Sequence, residues 1–152
     1  MSLLLDTNIL LRLGDRGSPQ HAEALAAVEA LDAMGTVFVI VPQVLYEYWA
    51  AATRPAENNG LGLTTQVAET AIAKWTAAFQ LLRDERGVYG NWLSLVASHD
   101  VKGKNAHDAR LVAAMQRHGV ADLLTFNQSD FVRFADVRVW TPAAILAGQF
   151  SG

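Results

Sequence analysis

Short apolar runs alternate with longer helical stretches along the chain. Leu3–Leu5 and Val37–Val41 have the continuous apolar character of buried parallel strands, and the second run is rich in β-branched residues. Weaker runs of the same kind predict further strands at Phe79–Leu82, Asp122–Thr125 and Val137–Trp140. Because helical segments separate the strands, the pattern predicts an α/β protein with a mainly parallel sheet of about five strands, covered by helices on both faces.

Turn and capping residues mark where the helices begin and end. Ser18 followed by Pro19 predicts a helix to about residue 34, in which Ser18 is the N-cap. Asn105 and Asp108 have the spacing of a capping box, and Gly119 supplies the stop for that helix. The other predicted helices cover about 42–53, 65–78 and 88–98, with a short one from Thr141-Pro142.

Composition limits the class of protein. The length of 152 residues, with 51% hydrophobic and 18% charged residues, suits a single domain over 1–152 with a sizeable core. No apolar run is long enough to span a bilayer, no basic leader precedes Met1–Leu5, and the chain has no cysteine, which together favour the cytoplasm. The net charge of −3 argues against binding nucleic acid by bulk positive charge. It leaves open an enzyme that reaches phosphates through a bound cation.

Asp6 directly follows the first predicted strand and is the only charged residue before Arg12. In open parallel sheets, ligands bind beyond the carboxyl ends of the strands, so this position is one for chemistry. An N-cap for a helix that starts at Thr7 is an equally good interpretation.

Glu47 is the only charged side chain between Gly35 and Thr53, and its neighbours are mostly apolar. A buried, unpaired carboxylate costs several kcal/mol or becomes protonated, so it needs a cation or donors nearby. A metal ion is one such partner, and an arginine from elsewhere in the chain is the alternative.

Further oxygen donors occur near the ends of predicted elements. Asp108 lies in the first turn of its helix, where the helix dipole favours a negative charge, and it could cap the helix, bind a ligand or do both. After the strand that ends near Thr125, a polar loop offers Asn127 and Asp130 at the same edge of the sheet. Each of these two could complete a site or stabilise a turn.

Carboxylate and amide oxygens without histidine or cysteine at metal-ligand spacing describe a site for Mg²⁺ or Mn²⁺. Such an ion can help to deprotonate a water and neutralise charge on a phosphodiester during hydrolysis. Near Asp108, the group Lys102, Lys104 and Arg110 could steer the phosphates of such a substrate, or could belong to a solvated loop.

The remaining histidines and aromatic residues are given structural roles. His107 is next to Asp108 but should point elsewhere around the helix. Several aromatic side chains are predicted to pack in the core, and others in the core or in dimer contacts. The first set is Trp75, Phe79 and Trp92, and the second is Tyr46, Tyr48 and Trp49.

Four motifs in order resemble those of PIN domains, and most of all those of VapC-type toxins of bacterial toxin–antitoxin pairs. They are Leu4-Leu5-Asp6-Thr7-Asn8-Ile9-Leu10, Tyr46-Glu47, His107-Asp108-Ala109-Arg110-Leu111, and Leu124-Thr125-Phe126-Asn127 followed by Asp130-Phe131. The resemblance covers nearly the whole chain. It implies an α/β/α sandwich, an endoribonuclease activity that depends on Mg²⁺ or Mn²⁺, and usually a homodimer. It also implies an antitoxin partner whose C-terminal segment blocks the active site.

By motif position, the resemblance makes Asp6, Glu47 and Asp108 the metal-binding and catalytic acids. It gives supporting roles to the hydroxyls of Thr7 and Thr125. One family pattern has aspartate where this chain has Asn127. Asp130 is then the candidate for a fourth acid that acts through water, or the ion is held by three carboxylates and water.

Other functions compete with this interpretation. A phosphatase of the haloacid dehalogenase type also begins with a strand that ends in aspartate, but it needs a second aspartate where Asn8 stands. A PIN-like module that binds RNA or protein without cutting would tolerate the loss of site acids, and only Asn127 hints at such a loss. A housekeeping RNA-processing nuclease fits the same residues as the toxin.

Overall fold

The computed structural model describes residues 1–151, which form an α/β/α sandwich. The strands are β1 (Ser2–Leu5), β2 (Val37–Ile40), β3 (Gln80–Leu81), β4 (Asp122–Leu124) and β5 (Arg138–Trp140). The helices are α1 (Thr7–Leu13), α2 (His21–Ala33), α3 (Pro42–Thr53), α4 (Thr65–Ala78), α5 (Val88–Ser98), α6 (Asn105–His118) and α7 (Pro142–Leu146). All five predicted strands are present, and β3 is shorter than predicted.

The sheet has the strand order β3-β2-β1-β4-β5, and every pairing in it is parallel. The chain therefore starts in the middle, builds one side of the sheet through β2 and β3, and then crosses to β4 on the other side of β1. This reversal creates a crevice at the carboxyl ends of β1 and β4, where open sheets bind their ligands.

The central strand is buried on both of its faces. Leu3, Leu4 and Leu5 are at most 1% exposed, although consecutive side chains of a strand point to opposite faces. Both faces of the sheet must therefore be covered by helices, as continuous apolar runs in parallel strands predict. Trp75, Phe79 and Trp92 pack against this core as partly buried side chains.

One predicted helix start and one predicted capping box are wrong. The helix predicted from Ser18-Pro19 begins at His21, and the Ser18 hydroxyl instead accepts a hydrogen bond from the Gln20 amide at 3.2 Å, which closes a turn before the helix. The N-cap of α6 is Lys104, which makes no side-chain capping bond, so Asn105 and Asp108 do not form a capping box. A hydrogen bond from a nearby amide to a serine hydroxyl, as at Ser18, competes with helix formation.

The other helix limits follow the sequence closely. The Thr64 hydroxyl accepts a hydrogen bond from the Val67 amide at the start of α4, and the Thr141 hydroxyl accepts one from Ala144 at the start of α7. Gly119 ends α6 with a φ of 69°, a left-handed conformation that glycine adopts without strain. Within residues 1–151, no helix is both long and apolar enough to cross a bilayer.

Candidate active site

Asp6 lies at the carboxyl end of β1 and is only 8% exposed. Its Oδ1 accepts a 2.7 Å hydrogen bond from the Thr7 amide, so Asp6 does cap α1. Its Oδ2 accepts a second 2.7 Å bond from the hydroxyl of Thr125, which follows β4. The Asp6 amide donates to the Leu124 carbonyl at 3.0 Å. The carboxylate is thus fixed at the crevice between β1 and β4. Because each of its oxygens has two lone pairs, it can cap α1 and still bind a ligand.

Asn8 joins α1 to the loop that follows β4. Its Nδ2 donates to the Thr125 hydroxyl at 3.1 Å and more weakly to Asp6 Oδ2 at 3.4 Å, while its Oδ1 accepts from the Phe126 amide at 3.1 Å. The Asn127 amide also donates to the Thr125 hydroxyl, at 3.0 Å. Asn8 is therefore part of the site, although the sequence alone marks it only as the place of a missing second aspartate.

Glu47 is held by uncharged donors. The Thr7 hydroxyl donates to its Oε2 at 2.8 Å, and Gln43 Nε2 donates to its Oε1 at 3.0 Å. In the part of the chain that the structure describes, no arginine pairs with Glu47, which removes the alternative partner considered from the sequence. Glu47 faces the site with its negative charge uncompensated by a cationic side chain.

Gln43 connects the two helices that carry Glu47 and Asp108. Its Nε2 also donates to the His107 carbonyl at 2.8 Å, and its Oε1 accepts from Arg110 Nη1 at 3.0 Å. Gln43 is buried and lies one turn before Glu47 on α3, the spacing that brings two side chains to one helix face. Sequence reasoning missed it because an amide carries no charge, and this spacing was its only signal.

Burial and the negative charges of neighbouring acids raise the pKa values of Asp6 and Asp108. Burial, reinforced by the charges of Glu47 and Asp130, raises the pKa of Asp6 to about 6 despite the hydrogen bonds from Thr125 and Thr7. Burial also raises the pKa of Asp108 to about 6, and the charges of Asp130, Asp6 and Glu47 add to this shift. The positive charge of His107 opposes it weakly. Four carboxyl groups from different parts of the chain therefore share one negative region.

The donor chemistry of this region suits a hard divalent cation, because its acidic side chains all offer oxygen. Within residues 1–151, no group of three or more His, Cys, Asp or Glu side chains is arranged to hold an ion directly. Mg²⁺ commonly keeps several waters and binds one or two carboxylates. The residues therefore fit an open, hydrated ion rather than one enclosed by protein ligands.

The remaining predicted site residues lie at different distances from this centre. Asn127 is exposed, and it precedes a short 3₁₀ helix, Gln128–Asp130, that carries Asp130. Lys102 pairs with Asp100 at 3.3 Å, and both side chains are more than 80% exposed, as in a solvated loop. Arg110 contacts Asp84 at 3.3 Å in addition to Gln43. Lys102 and Arg110 thus face different acidic partners, and Lys104 is an exposed residue at the start of α6.

Known proteins share this sequence pattern. Ribonuclease VapC24 of Mycobacterium tuberculosis is 30% identical over 145 residues, which cover 92% of this chain and 96% of the relative. Ribonuclease VapC48 of the same species is 28% identical over 145 residues, covering 93% of this chain and 98% of the relative.

Solved structures share the fold. VapBC2 from Rickettsia felis, bound to a DNA fragment from its promoter, aligns with a TM-score of 0.70 at 14% identity, over 93% of this chain and 98% of that one. VapC20 of Mycobacterium tuberculosis, described as a toxin that cleaves the sarcin-ricin loop, aligns with a TM-score of 0.65 at 21% identity, over 90% and 98%. The PIN domain family model matches residues 3–137. The chain therefore belongs to the PIN domain family.

Proposed function

We propose that this protein is an endoribonuclease that hydrolyses RNA phosphodiester bonds with Mg²⁺ or Mn²⁺, and that it is the toxin of a toxin–antitoxin pair. The observation that carries the proposal is a group of four acids near the switch point of the sheet. Asp6 lies at that point, and the charges of Glu47, Asp108 and Asp130 interact with it or with one another. Two relatives named as VapC ribonucleases support RNA as the substrate. Toxin–antitoxin complexes among the structural neighbours support an antitoxin partner.

In this proposal Asp6, Glu47 and Asp108 hold the ion, one or two of them directly and the others through its waters. When bound, a divalent ion activates a water and offsets charge that develops on the phosphodiester. Thr125 and Thr7 keep the carboxylates of Asp6 and Glu47 in place by donating hydrogen bonds to them.

The loop after β4 completes the proposed site. Asp130 acts at its outer edge through water, which agrees with its charge raising the pKa of both Asp6 and Asp108. Asn127 supports this loop through its backbone amide, which donates to the Thr125 hydroxyl. Lys102, Lys104 and Arg110 steer phosphates towards the acids by their positive charge.

The proposal extends to organisation and partners. We infer that one domain covers residues 1–152 and that it acts on RNA in the cytoplasm. A homodimer is supported by exposed aromatic side chains on one surface, where Tyr46 and Trp49 of α3 lie beside Ile72 of α4. Tyr48, by contrast, is buried in the core. Exposed apolar patches of this kind mark protein contacts.

The test is cleavage of total bacterial RNA by purified, antitoxin-free protein with Mg²⁺, with Mn²⁺ and with EDTA. We expect discrete fragments that require the metal and disappear with Asp6→Asn, which removes a charged ligand without changing shape. Asp32→Asn, an exposed aspartate near the end of α2, is the matched control and should cleave normally. Failure of the folded wild-type protein to cut, or full activity of Asp6→Asn, would contradict the proposal.

A further inference from the structure

A groove of about 460 Å³ lies beside the acidic site, and its lining includes Asp84, Val88, Tyr89, Trp92, His107 and Arg110. We propose that this groove binds one nucleobase of the RNA strand, next to the phosphodiester that is cut, and that it prefers a base with an exocyclic amino group. The inference rests on the proposed function, because it assigns part of the RNA to a place beside the same acids.

Two aromatic side chains provide the surface on which a base could stack. The ring centroids of Tyr89 and Trp92 are 6.0 Å apart, with their planes inclined by 32°. Tyr89 is 71% exposed, an unusual position for so large a ring, whereas Trp92 is held by a 2.8 Å hydrogen bond from its Nε1 to the Ala106 carbonyl. Proteins bind unpaired RNA bases by stacking them on aromatic side chains of this kind.

The fixed charges of the groove give no excess of positive charge with which to hold a phosphate. Its lining has two carboxylates, Asp84 and Glu85, and one guanidinium, Arg110. Arg117 pairs with Glu85 at 2.7 Å. A carboxylate accepts hydrogen bonds well from an exocyclic amino group, as Asp and Glu do from N4 of cytosine. Asp84 is half-exposed, and its ion pair with Arg110 is made through Oδ1. Uracil offers a carbonyl oxygen where cytosine has its amino group, so a carboxylate here discriminates between these two bases.

The groove and the acidic site share a wall. Arg110 lines the groove and donates to Gln43, and Gln43 in turn donates to Glu47 Oε1. His107 also lines the groove, and its carbonyl accepts from the same Gln43 amide. Asp108 lies between His107 and Arg110 on the first turns of α6. The groove therefore adjoins the acidic site through Gln43, and the proposal puts the phosphate next to the bound base on that side.

Binding can be measured without cleavage. In EDTA, we would titrate fluorescent single-stranded tetranucleotides of cytidine and of uridine and follow their anisotropy. The wild-type protein should bind the cytidine strand more tightly. Tyr89→Ala should weaken that binding about tenfold or more, because it removes a stacking surface. Tyr89→Phe keeps the ring and should bind as the wild type does. Equal binding by all three proteins overturns the proposal.

The base preference has its own variant. Asp84→Asn replaces an acceptor by an amide that can also donate, so the difference between cytidine and uridine strands should largely disappear. A preference that survives this change overturns the assignment of Asp84. In the same series, a wild-type protein that binds RNA in this pattern but does not cut it contradicts only the proposed function. If the wild-type protein cuts RNA and Tyr89→Ala binds and cuts it equally well, the result contradicts base binding in the groove but not the proposed ribonuclease function. The groove would then be available to bind a protein segment, such as that of an antitoxin.

Discussion

The Thr125 hydroxyl donates a 2.7 Å hydrogen bond to Asp6 Oδ2, across 119 positions of sequence. Thr125 is fully buried, and the same hydroxyl accepts hydrogen bonds from Asn8 Nδ2 and from the Asn127 amide. One side chain thus fixes the orientation of the central acid and holds the loop after β4 against α1. The geometry of the crevice depends on this single oxygen.

Thr125→Val should therefore impair the site more than the fold. Valine has nearly the same shape, but it leaves the Asn127 amide without this acceptor, Asn8 Nδ2 with only its weaker bond to Asp6, and Asp6 without its hydroxyl donor. This should cost about 1–3 kcal/mol of unfolding free energy. We expect RNA cleavage to fall at least about tenfold, since a misplaced ligand loses positioning. Steady-state cleavage and denaturant unfolding measure the two effects. Thr125→Ser retains the hydroxyl and should restore most of the activity, and a fully active Thr125→Val would contradict this role.

Gln43 should act as a positioning residue for Glu47. Gln43→Leu removes the donor to Glu47 Oε1 and the acceptor for Arg110 and puts an apolar side chain of similar size in their place. We expect slower cleavage and a higher Mg²⁺ concentration for half-maximal activity, because Glu47 is no longer held in place. A Mg²⁺ titration of the cleavage rate separates the two effects. A lower rate at an unchanged Mg²⁺ requirement would show that Gln43 does not act through the metal site.

The raised pKa values of Asp6 and Asp108 predict an unusual pH dependence of stability without metal. Both groups titrate at about 6 in the folded protein and at 3.8 in the unfolded reference, so the folded state binds more protons between these values. The free energy of unfolding should therefore fall as the pH rises through this window. Asp122, whose pKa is lowered, keeps its stabilising contribution throughout this window and loses it only as the pH falls below 3.8.

Melting temperatures in EDTA and in Mg²⁺ test this expectation. At about pH 7.5 the added ion should stabilise the protein much more than at about pH 5, because protons compete with the ion for the carboxylates only at the lower pH. The double variant of Asp6→Asn and Asp108→Asn is the control, and it should lose both the pH dependence in this window and the response to Mg²⁺. Equal Mg²⁺ stabilisation of the wild type at both pH values would contradict the assignment.

The strands and the positions of Asp6 and Glu47 could be predicted because each depends on nearby sequence, whereas Asp108 enters the proposed site only through the resemblance to PIN domains. Buried parallel strands need continuous apolar runs, and Asp6 and Glu47 are conspicuous as isolated charges beside such runs. The position of Asp6 at the switch point then follows from the strand order, to which a general rule applies.

The partners of these acids could not be predicted in the same way. Gln43 and Asn8 acquire their roles through contacts with His107 and Thr125, which are 64 and 117 positions away. The local sequence offers only weak signals for them, the spacing of Gln43 from Glu47 on one helix face and the position of Asn8 two residues after Asp6. The incorrect helix start at Ser18 has a local cause, because a serine that can cap a helix can also close a turn with nearly the same hydrogen bond.

Asp122 is the buried acid that should matter for stability and not for catalysis. It begins β4, at the opposite end of the strand from Thr125, and it accepts two 2.8 Å hydrogen bonds from Arg138 and one of 2.9 Å from Trp140. Burial alone would raise the pKa of Asp122, but these donors outweigh it and hold the pKa below its usual value. Arg138→Met removes two of the three donors and leaves a carboxylate that is poorly compensated, so the melting temperature should fall by several degrees.

The cleavage rate per folded molecule of Arg138→Met should match that of the wild type, because the acids of the site lie at the other end of the sheet. Arg133→Met, an exposed arginine on the loop before β5, removes the same charge and should change neither property. A loss of cleavage at temperatures where Arg138→Met is fully folded would mean that the two ends of β4 are coupled.

The melting temperature of Arg138→Met should also become less sensitive to pH below 3.8. Without Arg138, Asp122 ionises nearer its reference value. Its folded state then no longer binds fewer protons than its unfolded state in this range.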